Sequence, residues 1–248
     1  MVDLQTAPTS STQAADESQG EALPSATAAV ILAGGSGLRF GSNVPKCFVD
    51  LAGLPVIAYS IAAFRRAGIE PVAVVPTGWV DRCRDEFGIE ALEGGPTRTS
   101  SVRAALAWIE RRRPSHVFFH AASRPLIQPA LILKMLAACD GYDGLVTGER
   151  ASGGVVSRQG EVFDRDRLVL TQTPELIAAG PLLETYARDE GEYTLTIDPL
   201  IRAGYRIGVV EPGFTNVKLT RPCDLALAEQ LLRAPVDAAP DGPYPLLG

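Results

Sequence analysis

The stretch AVILAGGSGLRFGSNVPK, from Ala29 to Lys46, decides the predicted fold. A short apolar run bounded by glycines is typical of a buried strand, and glycines let backbone N–H groups approach and bind phosphate oxygens. Arg39 and Lys46 then add two positive charges. The stretch therefore predicts a first strand followed by a triphosphate-binding loop, although a flexible turn with two surface cations would have the same composition. The loop residues are Ala33, Gly34, Gly35, Ser36 and Gly37.

The spacing of these glycines matches neither the GxxxxGK[ST] motif of P-loop proteins nor the GxGxxG fingerprint of dinucleotide-binding proteins. Both of those modes of nucleotide binding therefore lose support. A strand, glycines, an arginine and a Pro-Lys pair in this order form a more specific combination than a glycine-rich loop alone.

Apolar and helical segments alternate after this loop, which predicts an α/β fold with a mostly parallel sheet. Strands are expected at 71–76, 116–121 and 144–148, and helices at 55–68, 97–113, 129–138 and 222–232. Residues 148–173 interrupt the alternation with short β-like runs around Gln159-Gly160, and we expect a β-hairpin arm there that contacts a partner subunit.

The chain of 248 residues is expected to form one domain, residues 26–234, between a disordered tail at 1–25 and a loose tail at 235–248. Its formal net charge of -6 gives no positive field to attract nucleic acid or an anionic membrane. With neither a membrane-length apolar run nor the pattern of a signal peptide, the chain is expected to be cytoplasmic. Four distant cysteines without a CxxC pair argue against a zinc site.

A second motif, EGGPTRTSSVRAAL from Glu93 to Leu106, covers the loop before a predicted helix and the first turns of that helix. Gly95, Arg98 and Ser101 are expected near the free N–H groups of that helix, where a base edge or a phosphate can bind. The alternative is structural: Thr97 or Thr99 is an N-cap, and the arginines form a solvated face.

A third motif, FTNVKLTRPCDLALAE from Phe214 to Glu229, places Lys218 on a predicted alternating strand before a helix that starts at Pro222. Asp224 lies in the first turn of that helix, where a negative charge is stabilising without any further function. Lys218 is either part of a binding site or a charge on the strand surface, and the periodicity leaves both open.

In order and spacing, six motifs together resemble the 2-C-methyl-D-erythritol 4-phosphate cytidylyltransferase family and its ribitol-phosphate cytidylyltransferase relatives. They are AVILAGGSGLRFGSNVPK, GGPTRTSSV, HAASRP, DRDRLVLTQTP, EYT and NVKLTRPCDLALAE. The resemblance extends from about Ala28 to Leu232. It implies a Rossmann-like nucleotidyltransferase fold with helices on both faces of the sheet and with residues 148–173 as an arm that forms a homodimer.

The resemblance also implies the reaction, in which a phosphate oxygen of a polyol phosphate attacks the α-phosphorus of CTP and pyrophosphate leaves. Mg²⁺ would neutralise the phosphates. Arg39 and Lys46 would stabilise the transition state, and Lys218 would position the attacking phosphate. The glycine loop would bind CTP together with Gly95, Arg98 and Ser101. Arg165 of a neighbouring subunit would reach the polyol phosphate, with Arg124, Thr173 and Thr194 lining that pocket. By sequence alone, a surface charge at a hairpin tip is the favoured interpretation of Arg165.

One strand end departs from the family. The family has His-Asp-Ala-Ala-Arg-Pro, whose Asp holds Mg²⁺, whereas this chain has Ala121 in place of that Asp. Residues 115–128 contain no Asp or Glu, and Thr215, Leu195 and Thr196 also stand where many members have carboxylates. Mg²⁺ often binds proteins through one or two carboxylates, so these changes predict weakened metal binding.

Three hypotheses follow from these motifs. The first is a cytidylyltransferase acting on 2-C-methyl-D-erythritol 4-phosphate, as Arg39, Lys46, Arg165 and Lys218 suggest. The second is a non-catalytic or regulatory homologue that keeps the nucleotide pocket without the metal carboxylate. The third is a cytidylyltransferase for another acceptor, such as ribitol 5-phosphate or a phosphonate.

Overall fold

The computed structural model describes residues 27–34, 44–213 and 216–233, together with the backbone of residues 244 and 245. The strands are β1 (Ala28–Leu32), β2 (Asp50–Leu51), β3 (Leu54–Pro55), β4 (Pro71–Val75), β5 (Ala91–Glu93), β6 (His116–Ala121), β7 (Gly144–Arg150), β8 (Val155–Val156), β9 (Val162–Phe163), β10 (Val169–Ala178), β11 (Ile207–Val210) and β12 (Tyr244–Pro245). The helices are α1 (Val56–Arg66), α2 (Val80–Phe87), α3 (Arg98–Arg112), α4 (Pro129–Ala137), α5 (Ala179–Arg188), α6 (Asp198–Arg202) and α7 (Cys223–Arg233).

Eight of these strands form one sheet in the order β12-β11-β7-β10-β6-β1-β4-β5. Strand β1 pairs in parallel with β4 and β6, and β7 pairs in parallel with β11. Strand β10 is antiparallel to both of its neighbours, β6 and β7. The predicted mostly parallel sheet is therefore confirmed, with β10 antiparallel in its middle and β12 antiparallel to β11 at one edge.

Helices cover both faces of the sheet because the strands are apolar on both sides, as expected for buried parallel strands. On one face, Ile31 packs in a cluster with Phe64 of α1 and Ile132 of α4. On the other face, its neighbour Val30 packs with Ile109 of α3 and with residues of α5 and α6. Alternate side chains of β1 therefore pack into two different cores, one on each face of the sheet, which confirms the predicted α/β layering.

Residues 151–168 leave the main sheet between β7 and β10 as an arm. It is shorter than the arm expected at 148–173, because residues 148–150 pair with 169–171 within the main sheet. Strands β8 and β9 pair in an antiparallel hairpin, and Gly160 in its turn has a φ of 90°. A side chain at such a φ is strained, so a glycine suits this position.

Two expectations for the C-terminal third need revision. Lys218 does not lie on a strand: Leu219 donates its backbone N–H to the Ser123 carbonyl, while Thr220 and Arg221 donate theirs to the Asp224 carboxylate. These N–H groups are therefore unavailable for a strand ladder. In the predicted loose tail, residues 244 and 245 pair with β11 as strand β12; the rest of that tail and the predicted disordered tail lie outside the described residues.

Candidate active site

A cleft of about 430 Å³ lies where β1 and β6 end and α3 begins. Carboxyl ends of adjacent parallel strands meet at one sheet edge, which is where open α/β folds bind ligands. The lining residues are Leu32, Ala33, Gly34, Lys46, Cys47, Pro96, Thr97, Arg98, Ser101, Ala121, Ala122, Ser123 and Lys218. Residues from all three sequence motifs are thus brought together in one place.

The start of the glycine loop lies against α3. A Cβ atom at Gly34 would lie 3.1 Å from the Ser101 hydroxyl oxygen, and one at Gly95 would overlap the hydroxyl oxygen of Ser100. No real side chain tolerates such an overlap, so Gly95 permits the tight approach of its loop to α3. Gly35, Ser36, Gly37 and Arg39 lie outside the described residues, and their roles stay predictions.

The N-terminus of α3 is capped by Thr97. Its hydroxyl accepts the Ser100 N–H at 3.0 Å, and its own N–H donates to the Ser100 hydroxyl at 2.8 Å. The structural alternative for Thr97 is therefore correct. It does not compete with binding, because Arg98 and Ser101 in the same turn still line the cleft.

Arg98 is held by an ion pair behind the cleft. Its Nη2 donates to Glu175 Oε2 at 2.9 Å and to Thr196 Oγ1 at 3.0 Å, while Glu175 is fully buried. Sequence reasoning missed both Glu175 and Thr196. A carboxylate directly before an apolar pair in a strand, as Glu175 stands before Leu176 and Ile177 in β10, was the available signal, because buried charges require partners.

Two of the three lysines in the chain, Lys46 and Lys218, line the same cleft. Lys46 Nζ donates to the Leu219 carbonyl at 3.1 Å, and the Leu219 N–H donates to the Ser123 carbonyl at 2.7 Å. These bonds fix residues 216–220 across the loop after β6. With Arg98, the two lysines give the cleft a strongly positive lining for an anionic ligand.

The end of β6 forms the floor of the cleft. The Ala121 N–H donates to the Thr173 hydroxyl at 3.0 Å, and the Ala122 N–H donates to the Leu32 carbonyl at 3.0 Å. Thr173 is buried, so it supports the position of Ala121 from behind. This placement leaves its predicted contact with the acceptor untested.

His120 is buried next to this floor. Its Nε2 lies 3.1 Å from the Arg124 carbonyl and its Nδ1 lies 3.4 Å from the Thr173 hydroxyl. Burial lowers the pKa of His120 to about 3, and the positive charges of Arg124 and Arg98 add to this effect. The imidazole is therefore neutral in the folded protein at neutral pH.

The buried His120 predicts a loss of stability in mild acid. The unfolded chain binds a proton below pH 6.5 and the folded chain does not until about pH 3, so stability is complete above pH 6.5 and falls between these values. In His120→Gln, the slope of unfolding free energy against pH between 6.5 and 5 should be smaller by about 1.4 kcal/mol per pH unit. Urea titrations at several pH values measure the unfolding free energy and therefore its slope against pH.

His116→Gln is the control for this experiment, because the charge of Asp140 opposes the effect of burial on the pKa of His116. We expect a smaller change in slope for this variant. An identical slope in His120→Gln and the unmodified protein would show that another group causes the acid sensitivity.

Three residues predicted to contact the acceptor do not line the cleft. Arg124 donates from Nη1 to Gln172 Oε1 at 2.9 Å and to the Asn216 carbonyl, which ties the loop after β6 to the base of the arm. Thr194 is exposed in the segment between α5 and α6, and Arg165 lies on the arm, where Nη1 donates to the Ser152 carbonyl at 3.2 Å. Their roles as acceptor-binding residues stay predictions.

The residues present do not fit a magnesium ion held by the protein. No lining residue of the described cleft has a carboxylate, and the described part of the chain contains no cluster of three His, Cys, Asp or Glu residues suited to a metal. The neighbouring carboxylate of Glu175 is engaged by Arg98 and by the Thr196 N–H. Residues 35–43, GSGLRFGSN, add no carboxylate either.

Among the described residues, no helix is both long enough and apolar enough to cross a membrane.

Asp224 has the structural role expected of it. It accepts the N–H groups of Thr220 and Arg221 at 2.6 and 2.7 Å, and these bonds lower the pKa of its carboxyl group. These two bonds fix the turn that leads from Lys218 to the start of α7 at Cys223.

Comparisons with known proteins show the family of this chain. Residues 27–234 match the family model described as IspD, 2-C-methyl-D-erythritol 4-phosphate cytidylyltransferase. The protein of that name from Cereibacter sphaeroides is 34% identical over 221 residues, covering 83% of this chain and 96% of the relative. The one from Thermotoga neapolitana is 30% identical, covering 83% and 96%.

A solved structure shows the same fold. The 2-C-methyl-D-erythritol 4-phosphate cytidylyltransferase of Thermus thermophilus superposes with a TM-score of 0.71 at 28% identity, covering 84% of this chain and 100% of that one. The family and the nucleotidyltransferase fold predicted from the motifs are thus confirmed. The chain belongs to the 2-C-methyl-D-erythritol 4-phosphate cytidylyltransferase family.

Proposed function

We propose that this protein transfers CMP from CTP to 2-C-methyl-D-erythritol 4-phosphate and releases pyrophosphate, as its relatives' names state for them. The observation that supports this most directly is the convergence of Lys46, Arg98 and Lys218 on one cleft at the carboxyl ends of the strands. Such a cleft suits a triphosphate and a second phosphate better than any neutral ligand.

In this reaction, an oxygen of the acceptor phosphate forms a bond to the α-phosphorus while the bond between that phosphorus and the bridging oxygen of pyrophosphate breaks. The transition state has negative charge on the phosphoryl oxygens, and fixed positive groups stabilise it. Lys46 Nζ donates to the Leu219 carbonyl, and this bond holds the ammonium group at the wall of the cleft. Lys218, on the same segment, would position the acceptor phosphate.

The chemistry assigned to this chain relies on its own cations. Ala121 stands where the family resemblance predicts the carboxylate that would hold Mg²⁺, so the stabilising charges of the cleft are those of Lys46, Arg98 and Lys218. The backbone at Ala121 is nevertheless well fixed, by the hydroxyl of Thr173 and by the Arg124 N–H that donates to the Ala121 carbonyl at 2.9 Å. The strand end therefore keeps its shape without the acid.

The direct test is to incubate the purified protein with CTP, or with UTP, and a panel of polyol phosphates, and to measure pyrophosphate release. We expect release with CTP and 2-C-methyl-D-erythritol 4-phosphate. Release only with ribitol 5-phosphate or a phosphonate would identify a different acceptor. Absence of release with every acceptor, despite normal CTP binding by calorimetry, would favour the non-catalytic homologue, which the carboxylate-free cleft makes the second candidate.

We further propose that the arm mediates a homodimer. Several of its apolar side chains are exposed, with Val162 at 77%, Val156 at 59% and Phe163 at 37%. Exposed apolar side chains grouped on one element are typical of an association surface. A partner subunit bound to this surface would also supply the second copy of Arg165 that is expected to reach the acceptor phosphate.

The dimer predicts that Val162→Asp gives a monomer, because the variant places a charge on the association surface. Sedimentation velocity should show half the mass of the unmodified protein. Leu227→Asp is the matched control, since Leu227 is 51% exposed on α7, outside the arm; it should sediment like the unmodified protein. A monomeric unmodified protein at micromolar concentration would contradict the proposed dimer.

A further inference from the structure

A buried carboxylate lies directly behind the cation that lines the cleft beside α3. Glu175 belongs to β10, where it is opposite Phe119 of β6 and Val146 of β7 in the middle of the sheet. Its side chain is fully buried, and Leu176 and Ile177 beside it belong to the two apolar cores. A charge in such a position is costly unless it is paired and hydrogen-bonded.

Both carboxylate oxygens of Glu175 accept hydrogen bonds. Oε1 accepts the Thr196 N–H at 3.0 Å, and Oε2 accepts it at 3.2 Å and the Arg98 Nη2 donor at 2.9 Å. Thr196 also accepts Arg98 Nη2 through its hydroxyl, and its carbonyl accepts the Tyr186 hydroxyl at 3.1 Å. The guanidinium is therefore fixed on one side by two acceptors that are themselves fixed.

The other side of Arg98 faces the cleft. Within the described ranges the hydrogen bonds of Arg98 all leave from Nη2, and the buried Nε has no partner. The side chain is 28% exposed and lines the cleft. An arginine that is bound on one edge and open on another is pre-organised to donate to a ligand, since little side-chain entropy is left to lose.

We propose that Glu175 is a positioning residue for nucleotide binding, which acts by orienting Arg98 toward the cleft. This inference rests on the proposed function for the identity of the nucleotide. Glu175 does not line the cleft and contacts no ligand directly; its effect on CTP passes through the guanidinium group.

Glu175→Gln tests the proposal with almost no change in volume. A glutamine has one acceptor oxygen and one donor NH₂ group, so in either orientation an N–H meets the N–H of Thr196 or of Arg98. We expect the Kd for CTP, measured by calorimetry, to rise about tenfold, which corresponds to about 1.4 kcal/mol. Glu90→Gln is the matched control, because it breaks the exposed pair with Arg112; its Kd should stay within twofold.

A double-mutant cycle separates positioning from a general structural effect. In an Arg98→Met background, Glu175→Gln should not change the Kd for CTP further, because the group it positions is gone. An equal effect of Glu175→Gln with and without Arg98 would overturn the proposal. Thr196→Val gives a second, milder variant that removes one acceptor of Arg98, and it should raise the Kd about threefold.

The Nη2–H signal of Arg98 in ¹H–¹⁵N spectra, assigned by its loss in Arg98→Lys, reports on the contact with Glu175 without any ligand. Its hydrogen exchange should be at least tenfold faster in Glu175→Gln. If either the exchange rate or the Kd for CTP is unchanged in Glu175→Gln, the role proposed for Glu175 is contradicted, and the proposed function is not affected. A protein that binds CTP normally but transfers nothing would contradict the proposed function alone.

Discussion

Replacing Lys46 by methionine is expected to lower kcat for CMP transfer by about 100- to 1000-fold, the range seen when one fixed donor to a developing negative charge is removed. Lys46 lines the cleft, and its Nζ is held by the Leu219 carbonyl at 3.1 Å. Methionine keeps the length of the side chain and removes the charge. The stabilisation it removes is specific to the transition state, so kcat should fall more than KM rises.

Steady-state pyrophosphate release with saturating CTP measures this effect. Lys134→Met is the control, since Lys134 is the only lysine of the chain outside the cleft lining and lies on α4. It should retain kcat within about twofold, as expected of a substitution away from the site. A Lys46→Met protein that keeps full kcat would remove Lys46 from the catalytic machinery.

Restoring a carboxylate at the end of β6 is expected to have the second largest effect. Ala121→Asp places a carboxylate in a cleft that has none among its described lining residues, so the protein should bind a divalent ion more tightly. We expect the concentration of Mg²⁺ that half-saturates turnover to fall by about tenfold or more, the effect of about 1.4 kcal/mol. Titration of Mn²⁺, followed by electron paramagnetic resonance, gives a second measurement that does not depend on turnover.

Ala121→Asn is the matched variant, with the same shape and no charge, and it should leave both titrations close to those of the unmodified protein. The comparison also separates the two main hypotheses. If the unmodified protein is inactive and Ala121→Asp is active, the natural chain is a non-catalytic homologue. If Ala121→Asp binds Mn²⁺ no more tightly than Ala121→Asn, the end of β6 is not a position from which a carboxylate reaches a metal ion.

The sequence predicts the layers of the fold well because local periodicity determines them. β6 begins and ends where the run His116 to Ala121 indicates, and α1 ends shortly before Gly68, whose φ is 78°. The antiparallel insertion of β10 is not predictable in this way. Its position depends on pairing with both β6 and β7, which are contacts between segments distant in the chain.

The same distinction applies to the site. Gly34, Lys46, Arg98, Ser101 and Lys218 are predicted from motifs, and the structure places all five in the cleft lining. The counter-charge of Arg98 was not predicted, because Glu175 and Thr196 are 77 and 98 residues away from it in the chain. Residues 194–196 lack the carboxylates that the family resemblance predicts there, and the acid that contacts Arg98 comes from β10 instead.

The bond between Lys46 and Leu219 joins two residues that are 173 positions apart. Closing so long a loop costs entropy that only a nearly complete fold can offset, so the wall of the cleft should form late in folding. Partly folded chains would then have the first strands of the sheet but no place for CTP. CTP should consequently bind and stabilise only the fully folded domain. Addition of CTP should then slow proteolysis at all sites within residues 27–233 together.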